Sequence, residues 1–158
     1  MTDQPSKEYH FIDSLHNPSS GENAYALLYE IVDCLQLLLS DGQPSRIDLA
    51  AIPMSDADLE RLQENLGEGP IMAEVMEEEG DGVLRISETG IPGVWWLQQL
   101  DEEDQLQTEY IEINTIPEAL QVDAELINDG RDALQARLFQ LGLGRRPSLP
   151  PSPSSTGS

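Results

Sequence analysis

Apolar residues recur with a helical period early in the chain, which predicts a long helix from about residue 20 to residue 40. Its main stripe has members three or four positions apart: Ala24, Leu27, Leu28, Ile31, Leu35 and Leu38. Val32, Leu37 and Leu39 widen the stripe, so we expect a central helix covered on more than one side. Ser19 and Glu22 have the spacing of a capping box at its start.

A short extended segment at Arg46-Ile47-Asp48-Leu49 precedes a second predicted helix. Ser55 is a favourable N-cap, and the acidic residues after it suit the positive end of the helix dipole. Three leucines line its inner face, and two glycines followed by a proline stop it: Leu59, Leu62, Leu66, Gly67, Gly69 and Pro70.

From Ile71 onwards the apolar period changes from helical to two, which is the period of a half-buried strand. Turn residues rich in Gly, Pro, Asp and Glu separate the alternating runs. Short connections between successive strands favour antiparallel pairing of neighbours. The sequence therefore predicts a four-stranded antiparallel meander, with strands at about 71–76, 83–88, 94–100 and 106–114.

A final helix is predicted between Asp123 and Leu141, where apolar residues again recur at helical spacing. Gly130 lies inside it and costs about 1 kcal/mol relative to alanine, so the helix is open to a break there. The predicted fold class is α+β, with the meander packed against N-terminal and C-terminal helices. We expect a flexible leader at 1–18, a single domain at 19–143 and a disordered Pro/Ser-rich tail at 144–158.

The charge balance is the most unusual feature of the composition. The chain has 30 acidic and eight basic residues, for a formal net charge of −22. Such a surface repels phosphate backbones and anionic lipid, so we expect neither nucleic acid nor membrane as a partner. The acidity either favours basic partners or serves only to keep the chain soluble, and the sequence leaves both interpretations open.

The cysteine count and the termini indicate a cytoplasmic protein. Cys34 is the single cysteine, so no intrachain disulfide can form, and its place in an apolar helix is typical of a buried, unreactive thiol. No apolar run approaches the roughly 20 residues that span a bilayer. The first residues lack the basic start and apolar block of a signal peptide.

We find no catalytic constellation and predict a protein that is not an enzyme and has no cofactor. His10 and His16 both lie in the leader, away from any nucleophile or metal-binding cysteine. The acidic runs at 77–81 and 101–104 coincide with predicted turns and lack the ligand spacing of a calcium loop. We interpret them as solvated turns and predict no metal site.

The stretch from Glu88 to Leu97 is the candidate partner-binding site. It contains both tryptophans, a Gly-Ile-Pro-Gly turn and a carboxylate, Glu88, that meets an arginine of a partner, pairs with Arg85 or is simply exposed. Side chains alternate along a strand, so adjacent tryptophans cannot share a face. If Trp96 faces the core, Trp95 and Leu97 form an apolar patch on the other face, which marks a binding surface where nothing covers it. The candidate residues are Glu88, Ile91, Gly93, Trp95, Trp96 and Leu97.

Five short segments, in this order, resemble the conserved C-terminal region of the hydrogenase expression protein family HupH, also called HyaF. They are Ile47-Asp48-Leu49 with Ile52-Pro53-Met54-Ser55, Leu66-Gly67-Glu68-Gly69, Glu88-Thr89, Gly93-Val94-Trp95-Trp96, and Tyr110-Ile111-Glu112-Ile113 with Ile116-Pro117. The resemblance covers about residues 20–130. Pro70 stands where the resemblance leads us to expect an acidic residue, and longer relatives carry a further upstream region.

The resemblance implies an accessory or chaperone protein for maturation of nickel–iron uptake hydrogenase. It implies binding to the precursor of the small, iron–sulfur subunit before assembly and export, with other maturation proteins as further partners. Three alternatives remain: a metal or iron–sulfur delivery factor, an enzyme acting on a small molecule, which only a deep polar pocket near Glu88 would favour, and a structural interaction module whose tryptophan patch forms a homo-oligomer contact.

Overall fold

The structure is a computed structural model that describes residues 10–11, 22–76 and 82–144. The chain divides into two compact units, residues 1–121 and residues 122–158. The predicted leader (1–18) and Pro/Ser-rich tail (144–158) lie almost entirely outside the described residues, as does the acidic run at 77–81. The boundary at 121 falls inside the range predicted as a single domain, and that single domain stays a prediction.

Three α-helices are described: α1 (Glu22–Asp41), α2 (Asp56–Leu66) and α3 (Ala124–Gln140). Short 3-10 helices occur at Leu49–Ala51 and Glu118–Leu120. α2 begins where the sequence predicts, because Ser55 and Asp58 form a reciprocal capping box. The Ser55 side chain accepts from the Asp58 N–H, and the Asp58 carboxylate accepts from the Ser55 N–H at 3.1 Å.

One sheet organises the first unit. Its strands are β1 (His10–Phe11), β2 (Ser45–Asp48), β3 (Met72–Met76), β4 (Val83–Glu88), β5 (Val94–Leu100) and β6 (Leu106–Ile113), in the spatial order β1-β2-β6-β5-β4-β3. β1 runs parallel to β2, and the other neighbours are antiparallel. The predicted meander therefore exists as β3 to β6, and the α+β class is confirmed.

The predicted number of strands is wrong, because β2 adds a fifth antiparallel strand beyond β6. The sequence predicts a short extended segment at 46–49, close to β2 (Ser45–Asp48), but so short a segment does not indicate that it joins the sheet. Its place is set by pairing with a distant segment, since Ile47 lies opposite Ile111 and Ser45 opposite Ile113. Such pairing depends on the tertiary structure and cannot be inferred from local periodicity.

Helices α1 and α2 contribute to the same apolar core as one face of the sheet. Buried residues of α1 (Leu27, Ile31, Cys34), α2 (Leu62, Leu66) and the strands (Ile47, Val94, Trp96, Ile111, Ile113) belong to this first cluster. The expectation that α1 is covered on more than one side is wrong. Val32 is 60% exposed and Leu39 is 81% exposed, so the residues that widen the stripe are exposed, whereas Leu27 and Ile31 of the main stripe are buried.

Helix α3 runs without a break through Gly130, and Asp123 caps its start by accepting from the Leu126 N–H. None of its residues is buried, and Leu126, Ile127 and Leu134 are all more than half exposed. Packing of a C-terminal helix on the sheet therefore stays a prediction. Residues 122–158 contain four acidic residues and four arginines, which cancel, so the net charge of −22 lies in residues 1–121.

The buried carboxylate of Glu112 connects the C-terminal end of β6 to neighbouring segments of the chain. Glu112 has no exposed surface. Its neighbours Ile111 and Ile113 are also fully buried, and they face the other side of the strand, so β6 is covered on both faces at this point. One carboxylate oxygen accepts from Asn114 Nδ2 at 3.0 Å and from the Glu118 backbone N–H at 2.8 Å. The other oxygen lies 3.4 Å from Arg46 of β2. Glu112 thus links β2, β6 and the segment that follows β6.

Glu112→Ala should lower the free energy of unfolding by about 3–5 kcal/mol, because it removes the buried acceptor of Asn114 Nδ2 and of the Glu118 N–H together with the ion pair to Arg46. Urea denaturation of the full chain measures the change. Glu74→Ala is the matched control, since the Glu74–Arg85 pair is partly exposed and should contribute no more than about 1 kcal/mol. A loss below about 1 kcal/mol for Glu112→Ala would contradict a structural role for this carboxylate.

Candidate partner-binding site

The turn between β4 and β5 is held by Thr89, whose side chain is buried. Its hydroxyl donates to the Val94 carbonyl at 2.9 Å and accepts from the Ile91 N–H at 3.2 Å. The Thr89 backbone N–H also donates to the Val94 carbonyl, at 3.1 Å. Threonine often closes turns in this way, and Thr89 is a site residue that sequence reasoning did not select.

Gly93 closes the same turn in a conformation that favours glycine. Its φ angle is +87°, and a Cβ there would lie 3.4 Å from the side chain of Leu35 on α1. The Gly93 carbonyl accepts from the Asn114 N–H at 2.9 Å, which joins the turn to the end of β6. The residue therefore has a structural reason to be glycine, whatever its part in binding.

The loop after α2 packs against the other side of this turn. A Cβ on Gly69 would lie 2.5 Å from the Thr89 carbonyl oxygen, and the Gly69 N–H donates to the Glu88 carbonyl at 2.9 Å. From the sequence, Gly67 and Gly69 are predicted only to end α2. The second reason for glycine is this close approach of two backbones, which becomes visible only in the structure.

The two tryptophans lie on opposite faces of β5, as alternation along a strand requires. Trp96 belongs to the core cluster shared with α1 and α2. Trp95 belongs to a second cluster on the other face, with Leu97 and Ile86. Both indoles also have a hydrogen-bond acceptor: Trp95 Nε1 donates to the Asn114 carbonyl at 3.0 Å, and Trp96 Nε1 to Glu109 at 2.6 Å.

No exposed patch forms at Trp95 and Leu97. Trp95 is 5% exposed, Trp96 is 8% exposed and Leu97 is fully buried. The physical reason is a second apolar cluster on this face, to which Ala73, Val75, Leu84 and Tyr110 also contribute. Among the apolar candidates, Ile91 is the exposed one, at 38%. It lies at the tip of the turn, between Thr89 and Gly93.

Glu88 ends β4, directly opposite Trp95 in the strand register. One of its carboxylate oxygens is buried and accepts no hydrogen bond from the described residues. The predicted alternative pairing with Arg85 does not occur, because Arg85 binds Glu74 on β3 at 3.2 Å. Glu88 also lines a polar cavity of about 280 Å³, together with Gln63, Gly67, Glu68, Ser87, Thr89, Trp96 and Gln98.

The acidic run at 101–104 and the single cysteine have structural roles in the protein. Asp101 organises its turn by accepting from the Gln105 and Glu103 backbone N–H groups, each at 2.9 Å. The bond from Gln105 makes the largest contribution to lowering the pKa of the Asp101 carboxyl. Cys34 is buried, and burial raises the pKa of its thiol. Within 22–76 and 82–144, His, Cys, Asp and Glu form no cluster that could hold a metal ion.

Residues 22–141 match the family model described as the HupH hydrogenase expression protein, C-terminal conserved region. The chain belongs to the HupH hydrogenase expression protein family. The match extends through strands β2 to β6, the turn at Gly93 and helix α3.

Curated relatives carry the names of hydrogenase expression/formation proteins. HupQ of Azotobacter chroococcum is 31% identical over 120 residues, which are 75% of this chain and 41% of HupQ. HupH of Rhizobium leguminosarum is 33% identical over 122 residues, which are 77% of this chain and 40% of that HupH. The chain thus spans about two fifths of the length of these relatives.

A solved structure of the HupH hydrogenase expression protein from Thiobacillus denitrificans has the same fold, with a TM-score of 0.69 and 33% sequence identity. The match covers 77% of this chain and 99% of that one. Across the described helices, none has the length and apolar content to cross a membrane.

Acrylamide should quench the fluorescence of Trp95 and Trp96 weakly in the native protein and strongly in urea, because both indoles are buried. Trp95→Phe and Trp96→Phe leave one indole each, so the two environments can be measured separately by Stern–Volmer titration. Free tryptophan amide serves as the exposed standard. Native quenching of either single-tryptophan variant close to that standard would contradict the burial described above.

Proposed function

We propose that this HupH-family chain is a non-catalytic accessory protein in the maturation of nickel–iron uptake hydrogenase, acting in the cytoplasm. Its proposed client is the precursor of the small, iron–sulfur subunit, with other maturation proteins as further partners. The observation that carries the proposal is the family match over residues 22–141, which includes strands β2 to β6.

The proposed client contact is the tip of the β4–β5 turn. Ile91 offers an exposed apolar side chain on a turn fixed by Thr89 and Gly93, so little conformational entropy is lost on docking. Buried Trp95 is connected to this turn through the Trp95–Asn114 and Asn114–Gly93 hydrogen bonds, and buried Trp96 packs in the core on the other face of β5. Their proposed part in binding is to position this turn.

The negative charge of residues 1–121 favours a client whose contact surface is basic, because opposite charges attract. Glu68 and Glu88 lie beside the turn, and the first unit carries the whole net charge of −22. Opposite charges at this scale accelerate encounter more than they strengthen the final complex.

Ile91→Ser should reduce capture of the tagged small-subunit precursor several-fold in cells that express both proteins, because it removes the exposed apolar contact at the turn. Val32→Ser is the matched control, since Val32 is exposed on α1 and is not in the turn. Equal capture by the Ile91→Ser variant and the wild type would show that the client contact does not involve the tip of this turn. Failure of the wild type to capture any hydrogenase subunit would contradict the proposed client.

Steering by the acidic surface predicts a salt-dependent association rate. Between about 50 mM and 500 mM NaCl the association rate constant should fall by roughly an order of magnitude, while the dissociation rate changes much less. Stopped-flow or surface plasmon resonance measurements with the purified precursor test this. An association rate constant that does not respond to salt would show that the acidity has no part in encounter.

A further inference from the structure

Strand β3 is the outermost strand at one side of the sheet. The spatial order ends with β3, and among the described residues β3 pairs with β4 alone. Met72 and Met76 are each 72% exposed, and Glu74 between them is exposed as well. An edge strand of this kind has backbone donors and acceptors on its outer side that another extended chain can pair with.

The backbone alternation shows which residues face outwards. The Ile71 carbonyl accepts from the Glu88 N–H at 2.8 Å, so Ile71 directs its backbone groups towards β4. The N–H and C=O of one residue point to the same side of a strand, and those of the next residue point to the other side. Ala73 and Val75 therefore also face β4, and Met72, Glu74 and Met76 direct their backbone groups away from the sheet.

The side chains of these three residues share one face, because they are two positions apart. Met72 and Met76 give this edge two flexible, polarizable apolar side chains, a type of surface that adapts to different apolar partners. Glu74 lies between them and binds Arg85 of β4 at 3.2 Å. The edge therefore has an apolar–acidic–apolar pattern.

We propose that β3 binds an extended segment of a partner protein as an additional antiparallel strand. The segment recognised would place apolar residues opposite Met76 and Met72 and a basic residue opposite Glu74. Main-chain hydrogen bonds to Met72, Glu74 and Met76 supply the pairing, and the alternating side chains supply the selectivity. This inference deepens the proposed function and rests on it only for the identity of the partner as a client.

A second copy of this chain is a poorer occupant of the same edge. Antiparallel pairing of two β3 strands centred on Glu74 would place the two glutamates directly opposite each other, which is destabilising. The first units of both copies would also each carry a net charge of −22. A basic, extended segment avoids both costs and adds a favourable cross-strand charge pair.

The probe is the synthetic peptide TVTKTVT-amide with fluorescein on its N-terminus, in which both valines and the lysine face the same side. Methylating the backbone nitrogens of the valines and the lysine removes the donors that would face β3. Methylating the backbone nitrogens of the second, third and fourth threonines instead places the same number of methyl groups on the opposite edge of the peptide and gives a matched control. We expect the first methylated peptide to bind at least about tenfold more weakly than the second, measured by fluorescence anisotropy.

Glu74→Pro tests the protein side, because proline removes the outward N–H at this position and no donor to β4. Glu74→Ala is its control and keeps the N–H. We expect Glu74→Pro to lose binding of the parent peptide and Glu74→Ala to weaken it by about threefold or less. Amide exchange of Ala73 and Val75 checks that the β3–β4 pairing persists. If Glu74→Pro disrupts the β3–β4 pairing, the comparison of the two methylated peptides on the wild-type chain tests strand addition instead.

Similar affinities of the two methylated peptides would overturn the proposal, and so would equal binding by a folded Glu74→Pro variant and by Glu74→Ala. Protection from exchange of the Met72, Glu74 and Met76 amides on addition of the parent peptide would support it. These measurements use no hydrogenase subunit. Peptide binding together with failed precursor capture would therefore contradict the proposed client while leaving strand addition in place.

Discussion

The candidate site depends on the hydrogen bonds and the ion pair that the buried Glu112 carboxylate makes. A charged group without solvent must be fully paired to be tolerated, so its neighbours are held in place as well. Asn114 is one of these neighbours, and its backbone binds both Trp95 and Gly93. The position of the β4–β5 turn thus follows from a charge two strands away from β4.

β5 shows how the sheet supports two cores at once. Its side chains enter the α-helical core through Trp96 and the second cluster through Trp95 and Leu97. A strand that is buried on both faces is rigid, because neither face can move without opening an apolar cluster. The turn that leads into β5 inherits this rigidity, which suits a contact that must keep its shape before the partner arrives.

Local patterns in the sequence are sufficient for much of the fold. The α2 cap at Ser55 and the strands on both sides of Gly93 depend on neighbouring residues, and the structure has them where the sequence predicts them. The inclusion of β2 in the sheet depends on pairing with a segment more than 60 residues away. The burial of Trp95 depends on a cluster drawn from several strands, to which alternation within β5 gives no clue.

The uneven charge distribution has a consequence for folding. A compact unit that carries the whole excess of negative charge is weakened by its own repulsion, whereas the balanced segment 122–158 is not. Added salt screens repulsion within the first unit and attraction towards a basic partner by the same mechanism. Salt should therefore stabilise the folded state of residues 1–121 and at the same time slow the proposed encounter with a basic partner. At low ionic strength the opposite holds: the proposed encounter is faster and the folded state is less stable.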